Sequence, residues 1–330
     1  MSQEQPKHIT SIGGQAIIEG VMMMGPFKTA MAVRKPDGDI TIEVNENGTK
    51  KRNKFLKLPL VRGCVNFFSS MVVGMKALMF SANFIDIEDD EDEKPSKFDA
   101  WLERHFGDKI KDIVIYISLI ISLFLSVGLF ILLPTVITRF LEAVLMGHTL
   151  IPTAPAIASF AETRMFTSLV EGILRMAIFL VYLGLVGKMK DIQRVFEYHG
   201  AEHKTISCYE SGEELTVENV KKHTRFHPRC GTSFLLFVMI VSILLFSLLP
   251  RTGIFLRVGM RLLLLPVVAG LSYEIIKLAG RSKNGCVRLL TKPGLWLQRL
   301  TTREPDDSQM EVAIESIKAV IPENKEDDTW

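Results

Sequence analysis

The chain has 330 residues, a formal net charge of +2 and a mean hydropathy of +0.23. Its length fits one large domain or two small ones, and its near-neutral charge removes the electrostatic case for nucleic acid as the main partner. Four scattered cysteines (Cys64, Cys208, Cys230 and Cys286) contain no C-x-x-C pair, which excludes a disulfide scaffold and a four-cysteine zinc ribbon and fits a reducing compartment.

The opening MSQEQPKHIT is polar and lacks the apolar run of a signal peptide, so none is expected. Residues 11–26, SIGGQAIIEGVMMMGP, place four glycines around a short apolar core. The spacing is neither a Walker loop nor a dinucleotide fingerprint. Three successive methionines, Met22 to Met24, can bind a soft metal. Consecutive side chains point different ways, however, so adaptable packing is the expectation. Gln15 and Glu19 are four apart on any helix here, but nothing in the sequence places them. Residues 29–44, TAMAVRKPDGDITIEV, read as a hairpin: two β-rich runs flank Pro-Asp-Gly.

Residues 61–85 are apolar but interrupted by Lys76, and read as an amphipathic or interfacial helix, or one packed under a membrane bundle. The acidic run 86–93, DIEDDEDE, reads as a solvated linker reaching to about residue 97. Phe98, Trp101, Leu102, Phe106 and Ile110 follow at helical spacing, with Trp101 at headgroup depth.

Four membrane spans are expected, at about 113–133, 169–187, 233–250 and 257–280. The second carries Glu171 and Arg175 one turn apart, where they can pair. The fourth carries Glu274, a functional candidate because ionisable groups within spans are costly. It can act as a third metal ligand or pair with Lys277. Lys and Arg concentrate before the first span, between the second and third, and after the fourth, which predicts cytoplasmic termini and a cytoplasmic loop 188–232. The tail 281–330 is expected to be cytoplasmic and is mostly charged after Arg303, with a short amphipathic helix at DSQMEVAIESIKAVI. The fold expected is mainly α: a polytopic helical membrane domain, 98–280, behind a small β-hairpin-containing cytoplasmic region, 1–60.

The loop carries the chemistry. YHGAEHKTISCYE holds His199, Glu202 and His203 as H-x-x-E-H. On a helix the two histidines share a face and can reach one ion. This is the inverted zinc-protease order, in which the glutamate acts on metal-bound water. HTRFHPRCGTSF adds His223, His227 and Cys230, so four of seven histidines fall within 199–227. The pattern leaves three readings: a catalytic zinc site, a closed structural site of His199, His203, His227 and Cys230, or a polar loop whose histidines cap helices or face lipid headgroups.

GGQAIIEGVMMMGP, VRGCVNFFSSMVVGMKALMFSAN, EYHGAEHKTISCYE, HPRCGTSF, AGLSYEIIKLAG and LTTREPDDSQMEVAI together resemble the YqhQ-like bacterial membrane family, over about residues 11–314. The resemblance implies a polytopic inner-membrane protein and a predicted metal-dependent enzyme. It also implies that His199, Glu202, His203, His227, Cys230 and Glu274 belong to one site. The leading expectation is a membrane-embedded zinc-dependent hydrolase. His199 and His203 bind Zn2+, one of His227, Cys230 and Glu274 completes the shell, and Glu202 is the general base. The rival is a non-catalytic membrane factor docking a cytoplasmic protein, ribosome or translocon.

Overall fold

The computed structural model describes residues 8–47, 56, 58–84, 110–147, 164–250, 253–281 and 285–329. The chain divides into two compact units. One comprises 1–85, 182–241 and 264–330; the other comprises 86–181 and 242–263. The expected acidic linker and the Trp101 helix lie outside the described residues.

The first unit opens with an antiparallel four-stranded meander: β1 (Gly13–Ile17), β2 (Gly20–Met24), β3 (Lys28–Arg34) and β4 (Ile40–Glu46). The expected hairpin is β3–β4, with Gly38 at φ 91° in its turn, where a residue with a Cβ would be strained. The glycine- and methionine-rich stretch supplies the other two strands, paired Gly13 to Met24 through Ile17 to Gly20. Alternation puts successive methionines on opposite faces. Met22, with Ile17, Met31 and Val33, packs against Ala77 of helix α1 (Val61–Ala82). Met23, with Val21, Ala30 and Ala32, packs against Tyr198, Ala201, Met310 and Ile317 on the other face.

Those last residues belong to α5 (Lys190–Ser211) and α10 (Asp307–Lys318). Helix α10 begins with a capping box between Asp306 and Gln309, which satisfies N-terminal amides. Segment 188–232 is therefore not an open loop. It is mostly α5, whose residues 198, 200–206, 208 and 210 are buried, followed by the short α6 (Val217–Lys222). The buried stretch of α5 includes the polar Glu202, His203, Lys204 and Thr205 and is enclosed nearly all round, so hydrophobic periodicity does not reveal it.

Among the described residues, four helices are long and apolar enough to cross a membrane: Val61–Ala82, Ile120–Leu141, Ser168–Val186 and Phe255–Leu278. They lie in α1, in α2 and α3 (Ile110–Val127 and Leu133–Gly147, joined by a π-turn at Gly128–Leu132), in α4 (Arg164–Val186) and in α8 (Ile254–Arg281). Helix α7 (Gly231–Ser247), expected as a span, has 17 residues and is shorter than the rest. Helix α1 is continuous across Lys76, and its Gly74, Ala77 and Ser81 face is buried. Exposed Phe124, Leu125, Phe255 and Leu263 give these helices apolar surfaces compatible with lipid.

In the second unit, Glu171 and Arg175 do meet, but at 3.5 Å and as part of a larger cluster. Arg261 forks onto Glu171, with Nη2 2.7 Å from Oε2, and also donates to Thr135 at 2.8 Å. Pro134 has no N–H to offer the carbonyl four residues back. That carbonyl, of Phe130, accepts from Arg175 Nε at 2.9 Å.

Candidate metal centre

His199 and His203 stand one turn apart on α5, with ring centroids 4.4 Å apart. His199 Nδ1 lies 2.8 Å from the Thr301 carbonyl, at the end of α9 (Gly285–Thr301). His203 Nδ1 lies 2.6 Å from the Arg225 carbonyl. A carbonyl can only accept, so both Nδ1 atoms carry a proton, and both Nε2 atoms are left to face the site. Second-shell carbonyls of this kind orient metal-binding histidines.

Cys230 completes a group with them. The ligand atoms of His199, His203 and Cys230 all lie within 4.8 Å of one another, and His199 Nε2 is 3.2 Å from the sulfur. Cys230 immediately precedes α7, and its sulfur accepts from the Thr232 backbone N–H at 3.4 Å. Burial alone would push the thiol up. The imidazoles of His203 and His199 overcome this and hold it well below the usual thiol range. Burial likewise would lower His199, but the Cys230 sulfur, with Glu202 and the Thr301 carbonyl, raises it to about 9. The two groups favour each other's charged forms, the thiolate of Cys230 and the imidazolium of His199.

Two buried polar atoms here have no hydrogen-bond partner: His203 Nε2 and Glu202 Oε2. Such groups cost on the order of 1–3 kcal/mol when left unmet. Glu202 is pushed up from the carboxylate range by burial, against the pull of His199, His203 and the Gly14 backbone N–H. The donor set of two imidazole nitrogens and one thiolate suits zinc. Since His203 Nε2 is orphaned and pointed at this set, the residues present fit such an ion.

His227 lies beside the group, its ring centroid 5.7 Å from that of His203. Its Nε2 faces the Glu210 carboxylate at 3.5 Å rather than the sulfur. Burial lowers the His227 pKa. The carboxylate of Glu210, which burial would raise, is held low by His227 and by Arg229. Glu274 is not a member of the group. Arg62 of α1 grips it with two bonds, Nε to Oε1 at 2.7 Å and Nη2 to Oε2 at 2.5 Å.

Several positioning residues carry no sequence signal. Gln298 of α9 clamps the His-Pro-Arg-Cys turn, accepting from the His227 N–H at 2.8 Å and donating to its carbonyl at 2.7 Å. Gly200 admits the following segment: a Cβ there would lie 2.0 Å from the Arg303 carbonyl oxygen. Glu19 lies in the β1–β2 turn and binds Arg194 of α5, with Nη2 to Oε2 at 2.6 Å. Gln15 instead packs against Gly74 of α1.

These features define a class: a mainly helical chain with four membrane-length apolar helices, carrying a buried histidine–cysteine–glutamate cluster beside a small antiparallel sheet. The chain belongs to the family described as "Protein of unknown function (DUF1385)", which it matches over residues 58–323. It is also similar to "Uncharacterized protein YqhQ" of Bacillus subtilis (strain 168), at 35% identity over 315 residues, covering 94% of this chain and 92% of the relative. No solved structure matches the chain.

Proposed function

We propose that this chain is a membrane-associated, zinc-dependent hydrolase. His199, His203 and Cys230 hold the ion, and Glu202 is the general base. The observation that carries the reading is the shared orientation of the two imidazoles. Both give Nδ1–H to a main-chain carbonyl; His199 Nε2 then lies 3.2 Å from the Cys230 sulfur, and His203 Nε2 is left without a partner within the same group.

When bound, zinc supplies Lewis acidity and makes water easier to deprotonate. The chain's own contribution is positional. Glu202 presents an unpartnered Oε2 from the same helix, one residue from His203. Its pKa, raised by burial, suits a group that takes a proton from water and returns it to a leaving group near neutral pH. Gly14 of β1 packs against this side chain, and a Cβ there would fall 2.9 Å from Glu202 Cδ. The apolar helices support a substrate that is itself membrane-bound, either a peptide bond in a membrane protein or a lipid-linked group. The Lys- and Arg-rich stretches 188–229 and 277–292 support a cytoplasmic site with both termini on that side.

The test is metal analysis of the purified full-length chain beside His203→Ala. The variant should lose one equivalent of zinc. Equal zinc content in the two proteins would remove the site.

A further inference from the structure

The histidine-rich segment places His223 away from the first cluster. His223 is the C-cap of α6, and it meets Cys208 and Glu213. Ligand atoms of these three residues all lie within 4.8 Å of one another. Cys208 is fully buried in the last turns of α5. Gly212, at φ 72°, closes that helix in the left-handed conformation and turns the chain back, a position suited to glycine. Glu213 follows at once, and α6 returns His223 to the same spot.

We propose that Cys208, Glu213 and His223 form a second zinc site, which closes the α5–α6 hairpin. A thiolate, an imidazole and a carboxylate are three of the ligand types zinc takes, at about 2.0–2.3 Å from the ion. Tetrahedral ligands at those lengths stand roughly 3.5 Å apart. His223 Nε2 is already 3.5 Å from Glu213 Oε2. The Ser211 hydroxyl lies 3.4 Å from the same nitrogen. Glu213 is exposed, so an ion reaches the site from solvent. Binding displaces the thiol proton, and the resulting thiolate and carboxylate carry the charge that holds the ion; neighbouring Lys222 is engaged with Asn219 at 2.9 Å.

Packing of Val220, a Lys221–Asp307 ion pair at 2.6 Å and Lys204 on the Lys221 carbonyl at 3.2 Å hold the hairpin, and an ion would add a further tie. Helix α6 has six residues, too few to be stable alone. Beyond the buried Val220 and the Thr216 cap, the Cys208 thiol helps hold it through a long contact of 3.6 Å to the Glu214 carbonyl. His223 is two residues before Arg225, whose carbonyl orients His203. An ion at the second site therefore steadies the chain that aims a ligand at the first.

The experiment uses the full-length chain in detergent, stripped of metal and titrated with Zn2+ and separately with Co2+, for which thiolate ligation gives a charge-transfer absorption. Wild type should bind two equivalents, and His203→Ala should keep one with that absorption. Adding Cys208→Ser should abolish the absorption and the remaining equivalent. Because Cys208 is buried, Glu213→Gln serves as the second variant: on the His203→Ala background this surface change should weaken zinc binding at least about tenfold. A single wild-type equivalent that His203→Ala removes overturns this proposal and leaves the first site standing. A single equivalent that Cys208→Ser removes and His203→Ala spares does the reverse. Unchanged affinity in the Glu213→Gln variant also overturns the site.

Discussion

Gly14 and Glu202 touch across 188 positions of sequence. The Gly14 N–H points at the Glu202 carboxylate, and a Cβ on Gly14 would lie 2.9 Å from both Cγ and Cδ of that side chain. The same Cβ would sit 2.8 Å from the Met22 carbonyl oxygen. The first strand of the sheet is thus a wall of the metal centre, and its small residue leaves room for the base.

Gly14→Ala should therefore displace Glu202 or push β1 off β2, because a strand carbonyl yields less readily than a side-chain end. The expected result is loss of function with zinc content retained, and a stability loss of about 1–3 kcal/mol from overpacking. Gly13 is the control, since nothing lies within 4 Å of a Cβ built there. Thermal unfolding and complementation of both variants make the comparison. Indistinguishable behaviour of Gly14→Ala and Gly13→Ala would refute the contact.

Much of this centre is invisible in the sequence for a physical reason. H-x-x-E-H marks three side chains on one helix face, and that spacing survives folding. The atoms that aim them do not: the Arg225 and Thr301 carbonyls and the Gly14 amide are main-chain groups that any residue could supply. Gln298 is one polar residue in an amphipathic helix until its two bonds to the His227 backbone are seen. Glu274 looked like a ligand because an acidic group in an apolar helix demands a partner. That partner, Arg62, is 212 residues away. The hairpin around Pro-Asp-Gly was legible from turn chemistry, whereas β1 and β2 were not, because glycine and methionine are weak strand signals.

The electrostatics of the first site set a pH dependence. His199 has its pKa raised to about 9, so between pH 6 and 8 its Nε2 carries a proton that zinc must displace. Cys230 is held well below the usual thiol range, so it releases none. One proton should leave per ion, and Kd should fall about tenfold per pH unit across that window, levelling off above pH 9. The measurement is a chelator-competition titration on Cys208→Ser, in which only this site reports. A slope of two would mean that Cys230 enters as an ordinary protonated thiol.

In the second unit, Glu171 is the carboxylate that Arg261, Arg175 and Arg257 surround, and Glu171 and Arg261 are each 1% exposed. Removing one member of a buried ion pair strands the other, at a cost of about 3–5 kcal/mol. Glu171→Ala should lower the protein level and the unfolding midpoint accordingly. Replacing Glu171 and Arg261 together by methionine should restore much of the loss, since a matched apolar pair leaves less charge stranded. Wild-type stability in Glu171→Ala would show that the cluster carries no weight.

Catalysis and bracing separate at Glu202. In the hydrolase reading Glu202 binds no metal and only moves a proton. Glu202→Gln keeps the shape of the side chain and can still accept from the Gly14 N–H, but it cannot serve as a base. Zinc content and protein level should therefore match wild type, while function in a complementation assay is abolished. His203→Ala should lose one zinc equivalent and function together. If the cluster merely braces α5 against the sheet, the two variants should behave differently. Glu202 is buried with its pKa raised, so a neutral amide of the same size would be tolerated there or would even stabilise the unit. Glu202→Gln would then complement fully, with an unfolding midpoint at or above that of wild type. The comparison needs no knowledge of the substrate. Full complementation by Glu202→Gln at normal protein level would end the hydrolase reading while leaving the zinc site itself intact.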